Sequence, residues 1–193
     1  MKRIILASAS PRRKELLLKY GIEPIIRPSN VKEIISPKER PEQVAMSLAF
    51  IKAKDIAGKF IGNEIIIAAD TLVYLNNNIL GKPKDKDEAG HMIRMMSGKK
   101  HFVITGLSII EVQANRKIID YEKTMISFRK LSENKIERYL DTGEYKDKAG
   151  GYGIQGQGEI LVEEIEGCYS NVVGLPIPKL DKLLEKYFHI SLL

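Results

Sequence analysis

The chain has a single cysteine, Cys168, among its 193 residues and no tryptophan. One thiol excludes an internal disulfide framework and a cysteine-ligated zinc site, and it fits a reducing compartment. A lone cysteine of this kind reads as a small core hydrophobe. Long apolar runs are missing too, and no stretch approaches the roughly 18 residues that a transmembrane helix needs. The run Ile4-Ile5-Leu6-Ala7 that follows the basic start is shorter than a signal-peptide core, so the cytoplasm is the expected location. There is no G-x-x-x-x-G-K-[ST], which excludes a P-loop NTPase. The three histidines, His91, His101 and His189, lack metal-ligand spacing and read as surface or core residues.

What is present is enough apolar content, 44%, to bury a core, which sets the chain apart from disordered and collagenous sequences. The net charge of +6 is unevenly placed. Residues 1–60 hold 13 basic and 6 acidic side chains, and residues 61–193 hold 18 and 19, so the whole surplus lies in the first third. An anion is the expected partner of that segment. A nucleic-acid module would interleave aromatics with the basic residues, yet residues 1–60 offer only Tyr20, Phe50 and Phe60, so no nucleic-acid partner is expected.

Periodicity and punctuation predict strands at residues 3–7, 22–27 and 64–69, and helices at 11–20 and 41–58. Ser10 is the expected N-cap and Pro11 the first helical residue of the earlier helix. Residues 36–40 read as a polar, proline-bearing loop. Residues 72–75 and 79–80 flank Asn76-Asn77-Asn78, a hairpin signal because Asn tolerates positive φ. A helix at 86–96, strands at 101–111 and 117–128, and a helix capped by Ser132 follow. Beyond a glycine-rich stretch at 143–158, a strand at 159–165 and a helix at 178–187 close the pattern. The alternation implies one α/β domain over residues 1–193, with a mixed central sheet flanked by helices.

Four segments carry chemistry. Ser8-Ala9-Ser10-Pro11-Arg12-Arg13 puts two guanidinium groups in a first helical turn, where the helix dipole disfavours cations by about 0.3–1 kcal/mol each. A bound phosphate reverses that sign, because N–H groups, hydroxyls and Arg forks all aim donors at one anion. Consecutive helical residues point about 100° apart, so one Arg meets a given phosphate directly. Asp70, in Ala68-Ala69-Asp70-Thr71, is an acid at the end of an apolar strand, a position for a metal ligand or base, or equally for an Asx-type turn. Gly81-Lys82-Pro83 is a rigid loop presenting a Lys. Gly150-Gly151-Tyr152-Gly153-Ile154-Gln155-Gly156 contains a literal G-x-G-x-x-G, but a helix precedes it and a strand follows, the reverse of a dinucleotide fingerprint. Its glycines instead let backbone approach a ligand, and Gln155 is the side chain equipped to pair with a planar base edge.

Together with Ser170-Asn171-Val172-Val173-Gly174-Leu175-Pro176, these motifs closely resemble the Maf family of nucleoside triphosphate pyrophosphatases, over nearly the whole chain. The resemblance implies a cytoplasmic hydrolase of nucleotide metabolism on a fold similar to that of the inosine triphosphate pyrophosphatases, often a homodimer. It implies a divalent metal cation, Mg²⁺ or Mn²⁺, and cleavage of a nucleoside triphosphate to the monophosphate and pyrophosphate. Carried onto this sequence, the catalytic acid falls on Asp70, phosphate-binding groups on Ser8, Arg13, Lys52 and Lys82, and a second acidic site residue on Glu33, with Asp70 and Glu33 as metal ligands. Lys54, two residues beyond Lys52, is equally basic. The subgroup acting on dTTP and UTP is marked by Arg, Thr and Gln at three specificity positions, which fall on Arg12, Thr71 and Gln155. All three match, whereas the subgroup preferring 7-methyl-GTP differs there. Since a carboxylate crowded by cations is a weak base at neutral pH, the metal-linked role of Asp70 is the expected one. A nucleotide-binding regulator of cell division on the same fold, binding without turnover, is the alternative.

Overall fold

The computed structural model describes residues 2–33 and 39–193; positions 36–38 of the expected loop lie outside them. The strands form a mixed seven-stranded sheet. The chain divides into two compact units, the first comprising Met1–Asp70, Thr105–Glu122 and Gly174–Leu193, the second Thr71–Ile104 and Lys123–Val173. Among the described residues no helix is long and apolar enough to cross a membrane.

In the first unit β1 (Arg3–Leu6) runs parallel to β2 (Ile25–Ile26) and to the start of β3 (Glu64–Leu75), with Ile5 opposite both Ile25 and Ile66. Helices α1 (Pro11–Leu18) and α2 (Pro41–Ala57) make the crossovers that parallel pairing requires. Glu64 to Ala69 are all buried, as expected of a strand covered on both faces. One side of this layer packs Ile5, Ala7, Ile66, Ala68 and Ile110 against Ala53 and Ile56 of α2. Ile110 belongs to β5 (Lys100–Glu111), which together with β6 (Arg116–Phe128) extends the order to β2-β1-β3-β5-β6. Gly106 of β5 admits α2 closely, since a Cβ there would lie 2.0 Å from the Ala45 carbonyl oxygen. Helix α6 (Ile177–Phe188) completes the unit.

The second unit holds the rest of β3, paired antiparallel with β4 (Asn78–Leu80) through a turn with Asn76 at φ 48° and Asn77 at φ 65°. Both φ values fit the hairpin signal, because Asn tolerates the left-handed region. Its helices are α3 (Lys86–Met96), α4 (Glu133–Asp141), whose Lys135 N–H donates to the Ser132 hydroxyl, and the short α5 (Tyr169–Val173). Strand β7 (Val162–Glu166) lies antiparallel to β6.

Four expectations change. The strand at 22–27 shrinks to Ile25–Ile26, flanked by Pro24 and Pro28, which have no N–H for a ladder. The strand at 159–165 begins only at Val162, because Gln157–Leu161 wind into a 3-10 turn whose first N–H groups are taken by Glu144. Asp70 does not end its strand: β3 continues to Leu75. Parallel pairing ends before it, the last register pair being Leu6 with Ile67. Cys168 is half-buried instead of a core residue, with its sulfur 3.2 Å from the Ser170 hydroxyl.

Candidate active site

Strand β1 delivers Ser8, 8% exposed, to the mouth of α1. Ser10 occupies the N-cap position with extended backbone, but its side chain makes no capping hydrogen bond, contrary to expectation. The hydroxyl at work is that of Ser8, which accepts from the Ser10 N–H at 3.2 Å and from Arg13 Nη1 at 3.0 Å. Arg13 Nε donates to the Gly174 carbonyl at 2.7 Å, so the guanidinium is gripped from two sides. Burial lowers the Arg13 pKa; the negative charges of Asp70 and Glu33 work against that, and the positive charge of Arg12 works with it. A guanidinium stays protonated regardless. Arg13 is thus the arginine turned inward, and Gly174 gives the Ser170 to Pro176 motif a job that its side chains did not reveal.

Helix α2 brings Lys52 to Asp70. The Lys52 ammonium hydrogen-bonds Asp70 Oδ1 and lies 2.6 Å from Glu33 Oε1, while Lys54 is exposed. Residues two apart on a helix face different ways, so Lys52 is the lysine of the site. Ser8, Arg13, Glu33, Lys52 and Asp70 therefore form one cluster in the first unit, with two cations against two carboxylates. Among the described residues no group of three or more His, Cys, Asp or Glu could hold a metal. Asp70 and Glu33, drawn to one cationic point, nonetheless supply the two hard oxygen donors with which proteins hold Mg²⁺ when phosphate oxygens and water provide the rest.

Thr71, Lys82 and Gln155 belong to the second unit. Lys82 and Gln155 are exposed and Thr71 is half-buried. The loops bearing Lys82 and Gln155 are joined, because the Gly150 N–H donates to the Gly81 carbonyl at 2.9 Å. Gly150 is required there: its φ is 70°, and a Cβ would meet Val73 at 3.0 Å. The same loop is anchored by Tyr152, whose hydroxyl is 2.7 Å from Nε2 of buried His101, with Phe128 packed edge-on against both rings. Burial pushes His101 down to about 4, so its ring is neutral at neutral pH. His91 and His189 are exposed. The anchoring roles of His101, Tyr152 and Glu144 had no sequence signal, since each depends on a contact made through the fold.

The family model of Maf-like proteins matches residues 3–187. A dTTP/UTP pyrophosphatase of Alkaliphilus oremlandii is 49% identical over 100% of both chains. One from Clostridioides difficile is 50% identical over 98% of this chain and 97% of its own. One from Pyrococcus furiosus is 53% identical over 96% and 95%. Among solved structures, a HAM1 protein from Coxiella burnetii matches 96% of this chain and all of its own, with TM-score 0.57 at 13% identity, a likeness of fold. Motifs, architecture and family match agree over the same residues: the chain belongs to the Maf family.

Proposed function

We propose that this chain is a nucleoside triphosphate pyrophosphatase that hydrolyses dTTP and UTP to the nucleoside monophosphate and pyrophosphate, clearing nucleotide pools in the cytoplasm. The observation that carries it is the cluster of Ser8, Arg13, Lys52, Asp70 and Glu33, a set of anion donors beside paired carboxylates. Relatives at 49–53% identity that are named for this activity support the substrate.

Water attacks the α-phosphorus, the α–β anhydride bond breaks, and pyrophosphate leaves. Ser8, Arg13, Lys52 and Lys82 are assigned to the phosphates. In the free chain the charges of Lys52 and Arg13 are balanced by Asp70 and Glu33, so binding requires Lys52 to exchange its carboxylate partners for phosphate oxygens. That exchange frees Asp70 and Glu33, which would hold Mg²⁺ or Mn²⁺. Such an ion, when bound, neutralises phosphate charge and acidifies water. Arg13, hydrogen-bonded to the Ser8 hydroxyl and the Gly174 carbonyl, has its guanidinium oriented by these two contacts.

Base reading is assigned to Gln155, with Thr71 and Arg12 as the other specificity positions. A Gln amide accepts from pyrimidine N3–H and donates to O4, a pattern that thymine and uracil share. The test is product analysis with dTTP and Mg²⁺. Equal amounts of dTMP and pyrophosphate support the reading; orthophosphate as the main product, or binding without turnover, refutes it.

A further inference from the structure

An amide reads a base only if its orientation is fixed, because a flipped Gln presents the complementary pattern and suits cytosine as well. Gln155 itself is exposed, so the position from which its amide meets a base is set by the loop that carries it. On the N-terminal side that loop is pinned by Tyr152 through His101. On the C-terminal side the pin is Glu144. Its Oε1 accepts from the Gln157 N–H at 2.9 Å and its Oε2 from the Gly158 N–H at 3.3 Å, the second and third residues after Gln155.

The surroundings of Glu144 are built for this. The Glu144 N–H donates to the Thr142 hydroxyl at 3.1 Å, and the Lys148 ammonium hydrogen-bonds the Glu144 carbonyl. Gly156 makes room for the clasp, and Gly158 lets the loop close on itself at Gly153. A Cβ on Gly156 would lie 2.6 Å from both Glu144 carboxylate oxygens, and one on Gly158 would lie 2.3 Å from the Gly153 carbonyl oxygen. Any side chain at Gly156 would push the carboxylate off the two N–H groups.

We propose that Glu144 is a specificity-positioning residue: its carboxylate clasps the backbone after Gln155 and thereby fixes the loop position from which the Gln155 amide meets the base, favouring thymine and uracil over cytosine. The inference rests on the base-reading role of Gln155. Glu144 touches no substrate and works through the loop. A carboxylate accepting two N–H bonds is the right device, since charge-assisted bonds are stronger than neutral ones and two of them fix a direction.

The experiment measures kcat/KM for dTTP and CTP in the wild type, Glu144→Ala, Glu144→Gln and Gln155→Ala. The ratio of the two constants is the readout, because a loss of folded enzyme lowers both equally and leaves it unchanged. The expected result is a fall in the dTTP/CTP ratio of about tenfold for Glu144→Ala, as when a polar recognition contact loses its alignment. Glu144→Gln keeps one accepting oxygen and should lie between Glu144→Ala and the wild type. An unchanged ratio in Glu144→Ala beside a collapsed ratio in Gln155→Ala overturns the proposal while sparing the base-reading role. An unchanged ratio in Gln155→Ala overturns that role and the clasp proposal with it.

Discussion

Two cations of the first unit, Arg13 and Lys52, share the neighbourhood of two carboxylates. Arg13 donates to the Ser8 hydroxyl and the Gly174 carbonyl and also feels the charges of Asp70 and Glu33, while Lys52 pairs directly with those two carboxylates. Replacing Asp70 by Asn keeps the shape but removes a charge. Turnover should fall by about 10²–10⁴-fold, the usual range for a group acting on the attacking water, with dTTP binding retained. Near wild-type kcat at saturating Mg²⁺ would remove Asp70 from the chemistry. Arg13→Lys should raise KM for dTTP, because an ammonium cannot hold both Ser8 and Gly174 with the geometry of the fork; an unchanged KM would show that the two-sided grip is irrelevant to binding. Ser8, Arg13 and Asp70 stood out in the sequence itself, as did the surplus of positive charge, whereas Lys52 and Glu33 came only through the family resemblance. Their wiring was not legible. The Arg13 to Gly174 bond spans 161 positions and uses a carbonyl, which every residue has. Choosing Lys52 over Lys54 needed the face of α2 that meets Asp70.

At the level of elements, helix boundaries were readable where a chemical stop exists. Helix α3 spans the expected Lys86–Met96, begun by Asp85, which accepts from the Glu88 N–H, and followed by Gly98 at φ 68°. Strand ends were less readable, because they depend on partners. An apolar run followed by Asp looks like the end of a strand, yet β3 carries on through Asp70 and Thr71 to pair with β4. Likewise the 3-10 turn at Gln157–Leu161 exists because a distant carboxylate takes its N–H groups. The approach of α2 to β5 rests on a single missing side chain. Gly106→Ala should cost about 3 kcal/mol, at the upper end of overpacking effects, because the obstacle is the Ala45 backbone and cannot swing aside. Urea denaturation measures this, and a loss below about 1 kcal/mol would mean that α2 shifts freely.

For the molecule as a whole, stability should depend on pH through His101. Its folded pKa of about 4 lies below its ordinary 6.5, so the unfolded chain takes up the proton first. The stabilisation is complete above about 6.5 and is lost as pH falls toward 4, with a slope of at most about 1.4 kcal/mol per pH unit. His101→Phe should flatten that part of the curve of urea midpoint against pH; an equal slope in both proteins would assign it to other groups.

The +6 net charge, taken alone, suggests a general polyanion binder. Within the site it is locally balanced, two cations against two carboxylates, with Arg12 beside them. Under the proposed function the surplus charge attracts anions, while selection falls to the loop that carries Gln155. The account is tested most directly by measuring kcat/KM for pyrophosphate release from dTTP, UTP, CTP, ATP and GTP with Mg²⁺ under one set of conditions. It predicts that dTTP and UTP exceed the other three by about tenfold or more. Equal constants across the five, or no pyrophosphate from any, would contradict it.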